Sequence, residues 1–122
     1  MKAILIVEDS ATTRALIRAV IEEMNDYETM EASSGFEALK VLPSREFDLI
    51  ITDINMPDIN GLELINFIRQ NDSYKHLPII IVSTEKSEED KKRGIALGAS
   101  AYITKPFKSF ELQDVIRKTI DS

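Results

Sequence analysis

Thr52-Asp53-Ile54-Asn55-Met56-Pro57-Asp58-Ile59-Asn60-Gly61 follows the apolar run Leu49-Ile50-Ile51 and leads into Gly61-Leu62-Glu63-Leu64-Ile65. The first run reads as a buried strand and the second as the opening of a helix. Asp53 then stands at the C-terminal mouth of a strand, the edge at which open parallel α/β sheets bind their ligands. Pro57 lacks a donor and holds Met56 in extended geometry, so strand and helix are separated by a true loop. A loop aspartate that merely caps a turn would look the same over this stretch. The rest of the chain decides between the two.

A chain of 122 residues with 43% hydrophobic content builds one compact core and is too short for two ordinary domains. Fifteen basic residues against 21 acidic ones give a net charge of −6, which argues against a direct nucleic-acid footprint. Cysteine is absent, so disulfide and thiolate chemistry are excluded. The longest apolar runs, such as Ala3 to Val7, fall far short of the ~20 residues of a spanning helix. Glu8-Asp9 follows that first run at once, unlike the longer core of a secretory signal. A cytoplasmic protein without membrane contact is expected.

Strand and helix patterns alternate five times. Ala3 to Val7 is a strand rich in branched residues, followed by a helix from about Ser10 to Met24 with Asp9 or Ser10 as cap. Leu16, Ile17, Val20, Ile21 and Met24 form its inward stripe, with Arg14 and Arg18 elsewhere. Tyr27 to Ala32 mixes polar and apolar residues, as an edge strand does. Ser34 and Glu37 have capping-box spacing before a helix that stops at Pro43, and Asn60 and Glu63 repeat that spacing. Pro78 to Val82 is the most apolar strand. A polar helix opens at Ser87-Glu88-Glu89-Asp90, its apolar part limited to Ile95, Ala96 and Leu97, and Gly98 ends it. Ser100 to Thr104 is a fifth strand, and a last helix begins near Ser109 with Leu112, Val115, Ile116 and Ile120 inward. Alternation of this kind implies a five-stranded parallel sheet with helices on both faces. The nearly continuous apolar strands one, three and four belong at the centre, which predicts the flavodoxin-like order 2-1-3-4-5.

That order brings the strand ends to one edge. Glu8 and Asp9 end strand one, Asp53 strand three, Ser83 strand four and Lys105 strand five. Neighbouring strands lie ~4.8 Å apart, so these groups can converge on one small volume. Adjacent acids disfavour each other's ionised form unless a cation lies between them. A purely structural Lys105, present to offset the acids, is the plainer alternative for that residue.

Glu8-Asp9, the Asp53 motif Asp-x-Asn-Met-Pro-x-x-x-Gly, Ser83 after an apolar run and Lys105-Pro106 together resemble the receiver domain of two-component response regulators, of the single-domain CheY-like kind. The resemblance spans residues 1–122. It implies that Asp53 is phosphorylated by a sensor histidine kinase or a phosphotransfer domain. It implies Mg²⁺ as cofactor, with Glu8, Asp9, Asp53 and the Asn55 carbonyl as its ligands, Glu8 through water. Ser83 and Lys105 would contact the phosphoryl group, and Ser83 and Tyr102 would form a switch. Its output would be the face of helix four, strand five and helix five, read by an unidentified downstream protein, in chemotaxis or elsewhere. It further implies a monomer, a cis Lys105–Pro106 bond, and a signalling protein that catalyses only its own phosphorylation and dephosphorylation. Thr84 departs from the small residue frequent there. With Asn55 and Glu85 it would tune the loss of phosphate.

Two other classes share part of the pattern. A flavodoxin-like cofactor module would want a hydroxyl- and glycine-rich phosphate loop where Glu8-Asp9 stands. A Mg²⁺-dependent aspartyl-nucleophile phosphatase would want a second acid two residues after Asp53, where Asn55 stands.

Overall fold

The computed structural model of the chain describes residues 1–84 and 88–121. Five strands, β1 (Lys2–Val7), β2 (Tyr27–Ala32), β3 (Leu49–Thr52), β4 (Ile79–Ser83) and β5 (Ala101–Thr104), alternate with five helices. The helices are α1 (Ala11–Glu22), α2 (Gly35–Val41), α3 (Gly61–Gln70), α4 (Glu88–Leu97) and α5 (Ser109–Asp121). All strand pairs are parallel and the order is β2-β1-β3-β4-β5, as the apolar patterning predicts. Every residue of β3 and β4 is buried, whereas β2 is mostly half-exposed. Among the described residues no helix is long and apolar enough to cross a membrane.

The core lies in two layers. Leu5, Ile50 and Ile81 face Ala38, Leu42, Leu64, Ile65 and Ile68 on one side of the sheet. Ile4, Ile6, Ile51, Ile80 and Val82 face Ile17, Val20, Ile21, Leu112 and Ile116 on the other. Alternate residues of each central strand serve opposite layers, which is why these strands read as unbroken apolar runs.

Local signals set the helix ends. The Ser10 hydroxyl accepts from Thr13 N and caps α1. Asn60 and Glu63 complete a capping box on α3. On α2 the box is only half made. Ser34 accepts from Glu37 N, but the Glu37 carboxylate turns to Ser33. The Asp58 carboxylate reaches over instead to Gly35 N and Phe36 N, at 3.2 and 2.8 Å. The Phe36 amide, foremost among these contacts, holds the Asp58 carboxyl below its ordinary range.

One assignment is corrected. Leu16 belongs to no inward stripe: it is 52% exposed, because α1 buries only Ile17, Val20 and Ile21. In α4, whose apolar part is short, Ile95 is exposed and the helix meets the sheet through Gly94, its sole buried residue. A Cβ there would crowd the Ile81 Cδ1 atom at 2.6 Å, so the helix rides too close to β4 for larger side chains to point inward. Gly98 ends α4 at a φ of 117°, as expected of a left-handed stop. Ser87, expected at the start of α4, lies outside the described residues.

Gly61 answers a tighter constraint. Its N–H donates to Ile54 O at 2.8 Å, and a Cβ would overlap the Asp53 carbonyl oxygen. The loop after β3 thus folds back against the first turn of α3, with Asp53 at the contact. Gly61→Ala should therefore destabilise the fold by about 1–3 kcal/mol, the usual cost of overpacking. Urea unfolding checks this, and an unchanged midpoint would show that the loop yields freely.

Candidate functional site

Glu8, Asp9 and Asp53 bring carboxylate oxygens within 4.8 Å of one another at the C-terminal edge of β1 and β3. Glu8 N donates to Ala32 O and Asp53 N to Val7 O, so both residues still hang from the sheet ladder. Glu8 is 2% exposed. One of its oxygens accepts from Ser10 N at 3.1 Å and the other from Lys105 Nζ at 2.6 Å. Asp53 accepts from Ile54 N on one oxygen, at 2.7 Å, and from Lys105 Nζ on the other, at 3.2 Å. Asp9, by contrast, is exposed.

Lys105 is carried in from β5. Its N–H donates to Ser83 O at 2.8 Å, tying the ends of β4 and β5 together, and its bond to Pro106 is cis, as expected. Burial works to lower the Lys105 ammonium, but its bonds to Glu8 and Asp53 and their charges outweigh that and raise it. Burial pushes the Glu8 carboxyl up, and the nearby Asp53 charge adds to this against the opposing pull of Lys105. One lysine is therefore shared by two largely buried carboxylates. A cation that binds beside Asp9 would relieve the same crowding.

The remaining predicted residues border this centre. Ser83 is fully buried at the end of β4 and Thr84 is exposed just beyond it. Asn55 lies exposed two residues past Asp53. Tyr102 is half-buried on the α4 side of β5, with Lys91 Nζ 5.9 Å from its ring centre. Glu85 lies outside the described residues. A hollow of about 640 Å³ between the loops preceding β3 and β4, lined by Leu42, Phe47, Tyr74 and Leu77, opens at the opposite edge and shares none of these groups.

Sequence reasoning missed the residues that support the site from outside it. Arg14 Nη1 donates to the Glu8 carbonyl at 2.8 Å, and Asp58 ties the Asp53 loop to α2. Helix periodicity gave Arg14 no inward place, and no local motif signals a cap supplied from another loop.

Comparison with known proteins decides the family of the chain. Residues 4–117 match the model of the response regulator receiver domain. The chain belongs to that family. Over 118 residues it is 33% identical to the chemotaxis protein CheY-3 of Vibrio cholerae, covering 97% of this chain and 91% of the relative. Its fold is similar to that of chemotaxis protein CheY4 of the same organism, at 34% identity and a TM-score of 0.90, with 98% of each chain covered. The receiver domain of a sensor histidine kinase from Pseudomonas aeruginosa is similar at 26% identity and a TM-score of 0.90, over 99% of this chain and 98% of that one. Its structure carries a magnesium ion coordinated in the active-site cleft. Receiver domains are phosphorylation-switched signalling modules, and the match favours neither the flavodoxin-like cofactor module nor the aspartyl phosphatase.

The shared lysine is open to a direct test. Lys105→Met leaves Glu8 and Asp53 together without a cation. The loss should be ~3 kcal/mol, the low end for a broken buried pair, since the Lys105 side chain keeps 15% exposure and some solvent screening. A carboxyl raised in the folded state favours folding most when protonated, so the loss should shrink as pH falls from about 7 to about 5. Denaturant titrations at the two pH values check this, and an equal loss at both would mean that the acids are not the cause.

Proposed function

We propose that Asp53 is the phosphoacceptor of this receiver domain and takes its phosphoryl group from a sensor histidine kinase or a phosphotransfer domain. The observation that carries the reading is Lys105 Nζ within hydrogen-bond reach of both Glu8 and Asp53, beside the exposed carboxylate of Asp9. Asp53 is a carboxylate nucleophile whose second oxygen is held by Ile54 N, so the other is aimed toward the cluster.

The three acids suit a hard cation. Mg²⁺ favours one or two carboxylates with retained water, and Asp9, Asp53, the Asn55 carbonyl and, through water, Glu8 would hold it. Bound there, it supplies charge neutralisation for the phosphoryl group. Lys105 would contact one phosphoryl oxygen and the Ser83 hydroxyl another. Ser83 and Lys105 meet through a backbone hydrogen bond at the ends of β4 and β5, which gives a contact at the phosphoryl group a route to Tyr102 two residues into β5. The face of α4, β5 and α5 would then present the change to a downstream protein. In this reading the domain acts as a monomer in the cytoplasm, where the nucleotide that feeds such kinases is found. It touches neither nucleic acid nor membrane, and its only catalysis is on its own aspartate.

With Mg²⁺ and acetyl phosphate, the wild type should gain one phosphoryl group and Asp53→Asn none, read by phosphate-affinity gel or intact mass. Equal labelling of the two proteins would remove Asp53 from this role.

Phosphate leaves when water attacks phosphorus in line with the aspartyl oxygen, so access along that line sets the lifetime. Asn55 and Glu85 would border the approach, and exposed Thr84 adds bulk beside it. Thr84→Ala should accelerate phosphate loss by at most about tenfold, a barrier change of ~1.4 kcal/mol, without changing the phosphorylated residue. Decay after donor removal at constant Mg²⁺ is the measurement, and a rate at or below wild type would refute the steric role.

A further inference from the structure

We propose that Arg14 is a positioning residue for the cation site, acting on the backbone that presents Asp9. This rests on the reading of Glu8, Asp9 and Asp53 as that site. Asp9 is exposed, whereas both residues beside it are pinned. Glu8 is held at its N–H by Ala32 O and at its carbonyl by Arg14 Nη1, at 3.0 and 2.8 Å. Ser10 is held at its N–H by the Glu8 carboxylate and, through its hydroxyl, caps α1 at Thr13 N. The peptide that joins Glu8 to Asp9 thus has its oxygen fixed by Arg14, and the direction in which the Asp9 side chain leaves the chain follows from that peptide plane.

The guanidinium is itself aimed. Arg14 Nε donates to Glu31 Oε1 at 3.0 Å, while Arg18 Nη1 takes the other Glu31 oxygen at 3.0 Å. Glu31 sits on β2 opposite Ile6 of β1, so the fork is referred to the sheet rather than to α1 alone. With side-chain exposures of 20% for Arg14 and 31% for Glu31, the pair is partly shielded. Glu31 also offsets the Arg14 charge, which would otherwise oppose a dication nearby. Partners of this kind, one step behind the ligands, commonly matter 10–100-fold to metal affinity.

Two roles for Arg14 predict opposite signs. Were it only a nearby positive charge, its removal would strengthen Mg²⁺ binding. As a clamp on the Glu8 carbonyl, its removal weakens binding despite the lost repulsion. Mg²⁺ affinity is read by calorimetry on the unphosphorylated protein, with circular dichroism to confirm folding. Arg14→Ala should bind Mg²⁺ roughly tenfold more weakly. Arg14→Lys keeps the charge without the two-pronged fork and should also bind more weakly than wild type, which serves if the alanine variant does not fold. In acetyl phosphate assays the loss should fall on the Mg²⁺ concentration for half-maximal phosphorylation, not on the rate at saturating Mg²⁺. Wild-type binding of Mg²⁺ with equal or tighter binding by the folded variants overturns the positioning role alone. Failure of the wild type to bind Mg²⁺ overturns the cation site and this inference with it.

Discussion

The contact of one lysine with two buried acids is the interaction on which the candidate site depends. Glu8 follows β1, Asp53 follows β3 and Lys105 follows β5, so the ammonium draws together three points far apart in the chain. Two buried carboxylates repel each other, and a cation shared between them makes the arrangement tolerable. The same crowding makes the edge responsive. Any added charge, a dication beside Asp9 or a phosphoryl group on Asp53, changes the balance that Lys105 now holds. In the proposed reading the lysine is both a placeholder at rest and a ligand in the phosphorylated state.

A change at the edge reaches the surface only through elements free to respond. β1, β3 and β4 are packed on both faces and hold their positions firmly. α4 is different. It is buried only at Gly94, and at its far end Arg69 grips the Gly98 carbonyl through Nε and Nη2. Burial lowers the Arg69 guanidinium, consistent with a cation whose visible partners are carbonyl oxygens. A helix with one buried residue has few apolar contacts to lose when it shifts. Tyr102 lies against it, its ring edge 3.9 Å from where a Cβ of Gly94 would stand. The switch face proposed for this domain thus includes a helix with a single buried residue.

Much of this was legible in the sequence because the deciding signals are local. Unbroken apolar runs mark strands buried on both faces, and mixed β2 marks an edge, a split that matches the flavodoxin-like order. The misses have physical causes. Helical periodicity places Leu16 inward because it allows a wider apolar face than the sheet covers. How much of that face is covered depends on how closely the helix approaches, and for α4 that is set by the glycine at its contact. Asp58 escaped notice for another reason: its partners lie 23 and 22 residues away, outside any capping pattern.

What the sequence determined by itself is the parallel α/β alternation, the strand order, and the acids, hydroxyl and lysine that stand at the strand ends. Each depends on periodicity or on a short motif, and side-chain burial follows such patterns within a few residues. Only the tertiary structure decided which of those groups touch. It placed Lys105 on both Glu8 and Asp53, left Asp9 exposed, and set Arg14 behind the Glu8 carbonyl. These are contacts between distant segments whose geometry depends on ångström-scale packing of the sheet and its helices, and no local pattern carries that information.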